Sequence, residues 1–297
     1  MRYRTVETFP YFGAKSLVGA ELARYYPQSG ISTVVDCCGG SGKLAVNMPV
    51  YYPQIVYNDL DPLLCNLFCV LKDSELFSQF CELAIETGYS EESYNKANEM
   101  CEEYKDGKGI TTDEIAVALA VAKYQRICLS FNSMQKNFRK ETVREHKIYA
   151  SRLLNLYEVH KRLNELDILV TNEDALEIIK RANEENRTDM FLILDVPYVA
   201  GENEERKQLG GYGEFDWEKD LHKKFLNAVK DSPCPILICG YRSQLYTEML
   251  NPVQGIPTEQ GQWGEITIAK VSKGSGRVSK GKKKSTADEI IWINYPI

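Results

Sequence analysis

The sequence predicts an α/β fold, a mostly parallel sheet interrupted by one long helical insertion. Three observations predict it. Short, β-branched, near-continuously apolar runs bounded by turn residues recur along the 297-residue chain, as strands covered on both faces do. Stretches of helical periodicity separate several of these runs. Residues 72–164 carry helical patterns and no convincing strand, and so long a segment exceeds an ordinary connection in such a sheet.

Strands are expected at residues 31–36, 54–58, 167–171, 190–195, 235–239, 265–271 and 289–294, seven in all. The first five are near-continuously apolar and suit a parallel sheet, whereas the last two suit an antiparallel hairpin around a polar loop. A glycine-rich turn, Asp36-Cys37-Cys38-Gly39-Gly40-Ser41-Gly42, follows the first strand and leads into a helical stretch expected near Lys43. Within the insertion the strongest helical patterns cover residues 113–131 and 151–166, and another covers 175–181. The expected organisation is therefore one domain from residues 1–71 and 165–297, with 72–164 packed as a helical subdomain.

Composition narrows the function classes. Apolar residues make up 43% of the chain, and no apolar run approaches the ~20 residues that span a bilayer. The start, Met1-Arg2-Tyr3-Arg4-Thr5, lacks the charged-then-apolar order of a signal peptide, so a cytoplasmic protein with no membrane partner is expected. The nine cysteines are odd in number and lie mostly in apolar patterns, which predicts reduced core thiols. Cys37-Cys38 is not a C-x-x-C spacing, and His146, His160 and His222 are far apart, so no metal site is expected. A net charge of −6 argues against a uniformly cationic surface but leaves room for a local basic patch. One such stretch is Lys270, Lys273, Arg277, Lys280, Lys282, Lys283 and Lys284, without an acid among them. It reads either as a solvated hairpin tip or as a loop that contacts phosphates.

The chemistry starts at the glycine turn. Glycine permits a tight turn and close approach of a ligand to backbone, and the second strand ends about twenty residues on in Asn58-Asp59-Leu60-Asp61. That is where an acid meets ribose hydroxyls in a nucleoside-binding βαβ unit. The turn has neither G-x-G-x-x-G nor G-x-x-x-x-G-K-[ST], which favours a nucleoside such as S-adenosylmethionine over NAD or ATP. An ordinary turn followed by surface acids is the plainer alternative. Asp174, after the third strand, either accepts from an adenine amino group or caps the next helix. The fourth strand ends in Asp195-Val196-Pro197-Tyr198, where a carboxylate, a carbonyl and a ring could hold an exocyclic amino group.

Taken in order, these segments resemble the Dam-like adenine-specific DNA methyltransferases. Tyr11-Phe12-Gly13-Ala14-Lys15 looks like that family's N-terminal cofactor motif, the 36–42 turn like its glycine motif, and 58–61 like its ribose segment. Asp195-Val196-Pro197-Tyr198 resembles its Asp-Pro-Pro-Tyr motif, with valine for the first proline. Ser130-Phe131-Asn132, Phe138-Arg139, Cys239-Gly240-Tyr241, Leu245-Tyr246 and the terminal strand add further matches. The resemblance implies a Rossmann-like, seven-stranded methyltransferase sheet and methyl transfer from S-adenosylmethionine to adenine N6 in double-stranded DNA. It assigns Tyr11, Lys15, Asp36, Cys37, Gly39, Gly40, Ser41, Asp59 and Asp174 to the cofactor. Asp195 and the Val196 carbonyl would hold the amino group, with Pro197 shaping the turn and Tyr198 stacked on a flipped-out base.

Valine keeps the carbonyl but lacks the ring that fixes φ. Because Val196 precedes Pro197, it is still steered toward extended backbone, and an active enzyme is expected. Two other readings remain open at this point: a weakened or inactive DNA-binding homologue, and methylation of RNA or of cytosine N4. DNA contacts are expected from the insertion, where Lys136, Arg139, Lys140 and Arg144 would grip phosphates and Asn132, Gln135 and Asn137 would read bases. Glu141 and Glu145 allow the alternative of a mixed-charge helix surface. Residues 199–215, rich in glycine, would order over the flipped base or serve as an exposed linker. A monomer is expected.

Overall fold

A computed structural model of the chain describes residues 5–13, 19–199, 215, 217–272 and 286–297. Lys15, residues 200–214 of the expected closing loop and residues 273–285 of the basic stretch lie outside the described residues. In chain order the elements are α1 (Gly19–Leu22), β1 (Thr33–Asp36), β2 (Gln54–Asn58), α2 (Pro62–Lys72), α3 (Ser74–Thr87), α4 (Glu91–Glu103) and α5 (Asp113–Cys128). They continue as α6 (Val143–Glu165), β3 (Leu169–Thr171), α7 (Ala175–Glu184), β4 (Met190–Leu194), α8 (Lys219–Val229), β5 (Ile236–Tyr241), α9 (Gln244–Leu250), β6 (Val253–Gln254), β7 (Gly264–Ser272) and β8 (Thr286–Ile293). They divide between two units, Met1–Ser16 with Gly39–Glu173 and Leu17–Cys38 with Asp174–Ile297.

The first unit pairs β2 with β3 in parallel and carries α2 to α6. The long helices begin at residues whose side chains accept from free N–H groups of the first turn: Asp61 for α2, Asp73 for α3, Ser90 for α4, Thr112 for α5 and Thr142 for α6. Such caps contribute about 1 kcal/mol each and set where each helix starts. Helix α5 is buried on most of its circumference, from Val117 to Cys128, as a central helix must be. Helix α6 starts at Val143 rather than at the predicted residue 151, because the Thr142 cap lies upstream of the apolar pattern.

The helix predicted near Lys43 does not form. Only a single 3-10 turn, Ala45–Asn47, follows the glycines. Met48 turns to extended backbone, with ψ of 145°, ahead of Pro49, which is what a residue before proline favours. Asn47 then spends its amide on the Val6 and Lys43 carbonyls instead of on a helix.

In the second unit the strand order is β1-β4-β5-β8-β7-β6. Strands β1, β4 and β5 run parallel, and β8 runs antiparallel to both β5 and β7. Phe191 to Leu194, Ile236 to Ile238 and Ile290 to Ile293 are fully buried, consistent with a sheet covered on both faces. The predicted terminal hairpin is present and longer than its apolar run. Among the described residues β6 adds an eighth strand, two residues that pair with the start of β7. All nine cysteines carry free thiols, most of them buried.

Candidate active site

Within the first unit the glycine turn is fastened to the end of β2. Gly39 donates its N–H to the Asn58 carbonyl at 2.7 Å, and Gly40 donates to Asp59 Oδ2 at 2.8 Å. The Tyr57 hydroxyl donates to the Gly40 carbonyl at 2.9 Å. Gly40 has φ of 50°, a left-handed conformation, and a Cβ there would lie 3.0 Å from the Tyr11 ring. The Tyr11 ring therefore packs directly on the Gly40 backbone, in space that a side chain would need. Ser41, also assigned to the cofactor, is buried in the same turn.

Asp59 receives a second backbone donor, the Asp61 N–H, at 2.9 Å on Oδ1. A carboxylate has about four acceptor positions, so capacity remains for ribose hydroxyls. Burial, and then the charge of Asp61, raise the Asp59 pKa to about 6, against the lowering effect of the two N–H donors and Lys123. The N-terminus of α2, which follows, is satisfied as well. Asp61 caps α2 and forms an ion pair with Lys123 at 2.6 Å.

The loop after α5 holds the predicted base-reading residues. Asn132, Ser133 and Gln135 have φ of 54°, 57° and 59°, a left-handed region that side chains other than glycine rarely adopt. The loop is pinned by the Phe131 N–H on the Asn137 carbonyl at 2.7 Å and the Gln135 N–H on Ser130 Oγ at 3.0 Å. Gln135 Oε1 accepts from Lys123 at 3.0 Å. Lys136, Asn137, Lys140 and Arg144 are exposed, and Arg144 lines a shallow depression on α6 with Lys147 and Arg152. Arg139 differs: it pairs with Glu145 at 3.2 Å, and Glu141 pairs with His146. The acids that dilute the patch are thus partly engaged within it.

The second unit carries the other predicted residues on one sheet edge. Asp36, at the end of β1, stands opposite Ile193 of β4, and Cys37 donates to the Ile193 carbonyl at 3.0 Å. Both are 1% exposed, and burial pushes the Cys37 thiol pKa up, which leaves it a neutral packing group. Beyond the end of β4, Asp195, Pro197 and Tyr198 are half-buried while Val196 is 1% exposed. The Tyr198 hydroxyl donates to Glu289 Oε1 at 2.5 Å, and its ring meets Tyr241 edge-on at 4.6 Å. Tyr241 and Glu289 are direct partners across β5 and β8. Burial, followed by the charge of Asp195, holds the Tyr198 pKa well above the usual phenol value, so it remains a neutral donor. Asp174 uses Oδ1 to cap α7, accepting from the Leu176 N–H at 2.8 Å.

Sequence reasoning missed the roles of Lys123, Asp61 and Glu289, whose partners lie far away along the chain. A carboxylate, a backbone carbonyl and a half-buried tyrosine at a strand end suit the capture of an amino group. A sequence model of the D12 class N6 adenine-specific DNA methyltransferase family matches residues 11–260. The chain belongs to that family. The methyltransferase is an enzyme of adenine N6 methylation in DNA, and its reaction requires a methyl donor. No curated protein matches the chain. Among the described residues no helix is long and apolar enough to cross a membrane.

Proposed function

We propose that this methyltransferase uses S-adenosylmethionine as donor and acts on an adenine flipped out of double-stranded DNA. The observation that carries the donor assignment is the pair of Gly40 and Asp59, a left-handed glycine under Tyr11 whose N–H is held by a carboxylate with acceptor capacity to spare. Asp59 accepts from ribose hydroxyls, at the tight turn that Gly39 and Gly40 form beside Tyr11. By the family resemblance, Lys15, Asp36, Cys37, Ser41 and Asp174 are further donor contacts. When bound, the donor supplies a methyl group on a positively charged sulfur.

Adenine N6 is a poor nucleophile because its lone pair is delocalised into the ring. The Asp195 carboxylate and the Val196 carbonyl accept its two N–H bonds and favour a tetrahedral nitrogen. Tyr198 stacks on the flipped base, its plane set by Glu289 and Tyr241. Asp195 need not be a strong base, since the methylated nitrogen is acidic and can give its proton to the carboxylate or to water. The insertion of residues 72–164 holds the DNA, with Lys136, Lys140 and Arg144 on phosphates and Asn132, Gln135 and Asn137 toward base edges. Arg139 joins them on release from Glu145. Labelled methyl groups from S-adenosylmethionine should enter duplex DNA in the presence of the enzyme; stable binding of the donor with no incorporation into varied duplexes would refute this function.

Donor affinity should depend on pH through Asp59. The ionised carboxylate is the better acceptor, and its pKa of about 6 is raised, so affinity is full above that value and declines as pH falls through it. Between pH 8 and pH 5 the Kd should rise up to ~10-fold, one decade per unit below the pKa. Burial sets this value first, then the charge of Asp61, against the N–H donors of Asp61 and Gly40 and the charge of Lys123. Calorimetric titration checks it, and Asp59→Asn should flatten the profile.

A further inference from the structure

Lys123 is a buried cation that none of the roles above uses. It lies on α5 and is 4% exposed, a costly place for an ammonium unless it is paired and hydrogen-bonded. Its partners are Asp61 Oδ2 at 2.6 Å and Gln135 Oε1 at 3.0 Å. Each partner leads to a different function. The Asp61 backbone N–H donates to Asp59 Oδ1, and Asp59 Oδ2 holds the Gly40 N–H. A continuous chain of polar contacts thus runs from Gln135 through Lys123, Asp61 and Asp59 to Gly40.

On the other side, Gln135 sits in the loop whose left-handed residues fix its backbone. An ammonium can only donate, so the Gln135 amide must turn Oε1 inward and its two N–H groups outward. A glutamine free to rotate its amide presents donor or acceptor to a base edge. One locked by a lysine presents donors alone, which suit purine N7, guanine O6 or thymine O4 in the major groove.

We propose that Lys123 is a positioning residue that couples base reading to donor binding, orienting the Gln135 amide on one side and the Asp61–Asp59 pair on the other. The coupling rests on the proposed base-reading role of the 130–138 loop. The test maps methylation across a library of random duplexes and measures KM for S-adenosylmethionine, using the full chain. Lys123→Met should lower preference at one position of the recognised sequence by ~10-fold and raise the KM by ~10-fold, with other positions still discriminated. Because Lys123→Met strands a buried carboxylate, Lys123→Met with Asp61→Asn removes that charge while keeping a capping oxygen, and should relax the same position. Gln135→Leu should relax that position with KM little changed. Loss of rate at all sequences alike, with the recognised sequence intact, would show a merely structural lysine and overturn the proposal. So would a change in only one of the two readouts in Lys123→Met. If Gln135→Leu relaxes a position that the Lys123 variants retain, the base-reading loop stands and the coupling falls. If Gln135→Leu relaxes none, base reading by this residue fails and the coupling with it.

Discussion

Asp195→Ala should lower the rate of methyl transfer by about 10³-fold, near the upper range for removing one preorganised group from a transition state, and leave the Kd for S-adenosylmethionine within about twofold. The side chain follows directly on β4, at the sheet edge that also carries Asp36, and in the proposed mechanism it supplies one of two acceptors for the reacting amino group. Without it the Val196 carbonyl remains alone, and the lone pair of N6 stays in conjugation with the ring. The donor keeps Gly40 and Asp59, which lie in the other unit. Asp195→Asn retains one acceptor oxygen and should fall between the two. Single-turnover transfer and a separate binding titration check both halves of the expectation, and near-normal turnover in the alanine variant would remove Asp195 from the chemistry.

The next largest effect is expected at Gly39. A Cβ there would come within 2.2 Å of Cε2 of Tyr57, and Tyr57 has nowhere to go. It is fully buried, its ring packs on Phe68 with centroids 4.1 Å apart, and its hydroxyl holds the Gly40 carbonyl. Overpacking of this kind costs about 1–3 kcal/mol, and in Gly39→Ala the displaced atoms belong to the turn proposed to receive the donor. The variant should melt ~3–10 °C lower and bind S-adenosylmethionine more weakly, a combination visible in thermal melts with and without the donor. Unchanged melting and affinity would mean that the turn and Tyr57 move independently.

Most of the sheet is legible in local pattern. β4 and β5 coincide with apolar runs because burial on both faces leaves almost no polar positions to blur them, and β1 and β2 follow shorter apolar cores. The glycine turn and the acids after β2 are equally plain, since only glycine tolerates the ring that sits on Gly39. Three features were not legible, each for a physical reason. β6 is two residues between Pro252 and Gly255, too short to show a period. The missing helix at Lys43 depends on Asn47 bonding to Val6, a contact across 41 positions. Two links, Lys123 with Asp61 in the first unit and Tyr198 with Glu289 in the second, join residues 62 and 91 positions apart. In the sequence Lys123 looks like a surface charge on an amphipathic helix, and only the packing of α5 shows that it points inward.

Val196 is the point at which the sequence departs from the Asp-Pro-Pro-Tyr pattern. Its side chain is buried, and the carbonyl required for chemistry belongs to the backbone, so the substitution alters how the acceptor is held rather than whether it exists. Nucleoside analysis of DNA from cells expressing the protein, with modified positions mapped by sequencing, tests this most directly. N6-methyladenine should appear at one short recurring sequence and vanish with Asp195→Ala. DNA that carries no modified adenine, or that carries N4-methylcytosine instead, would contradict the assignment.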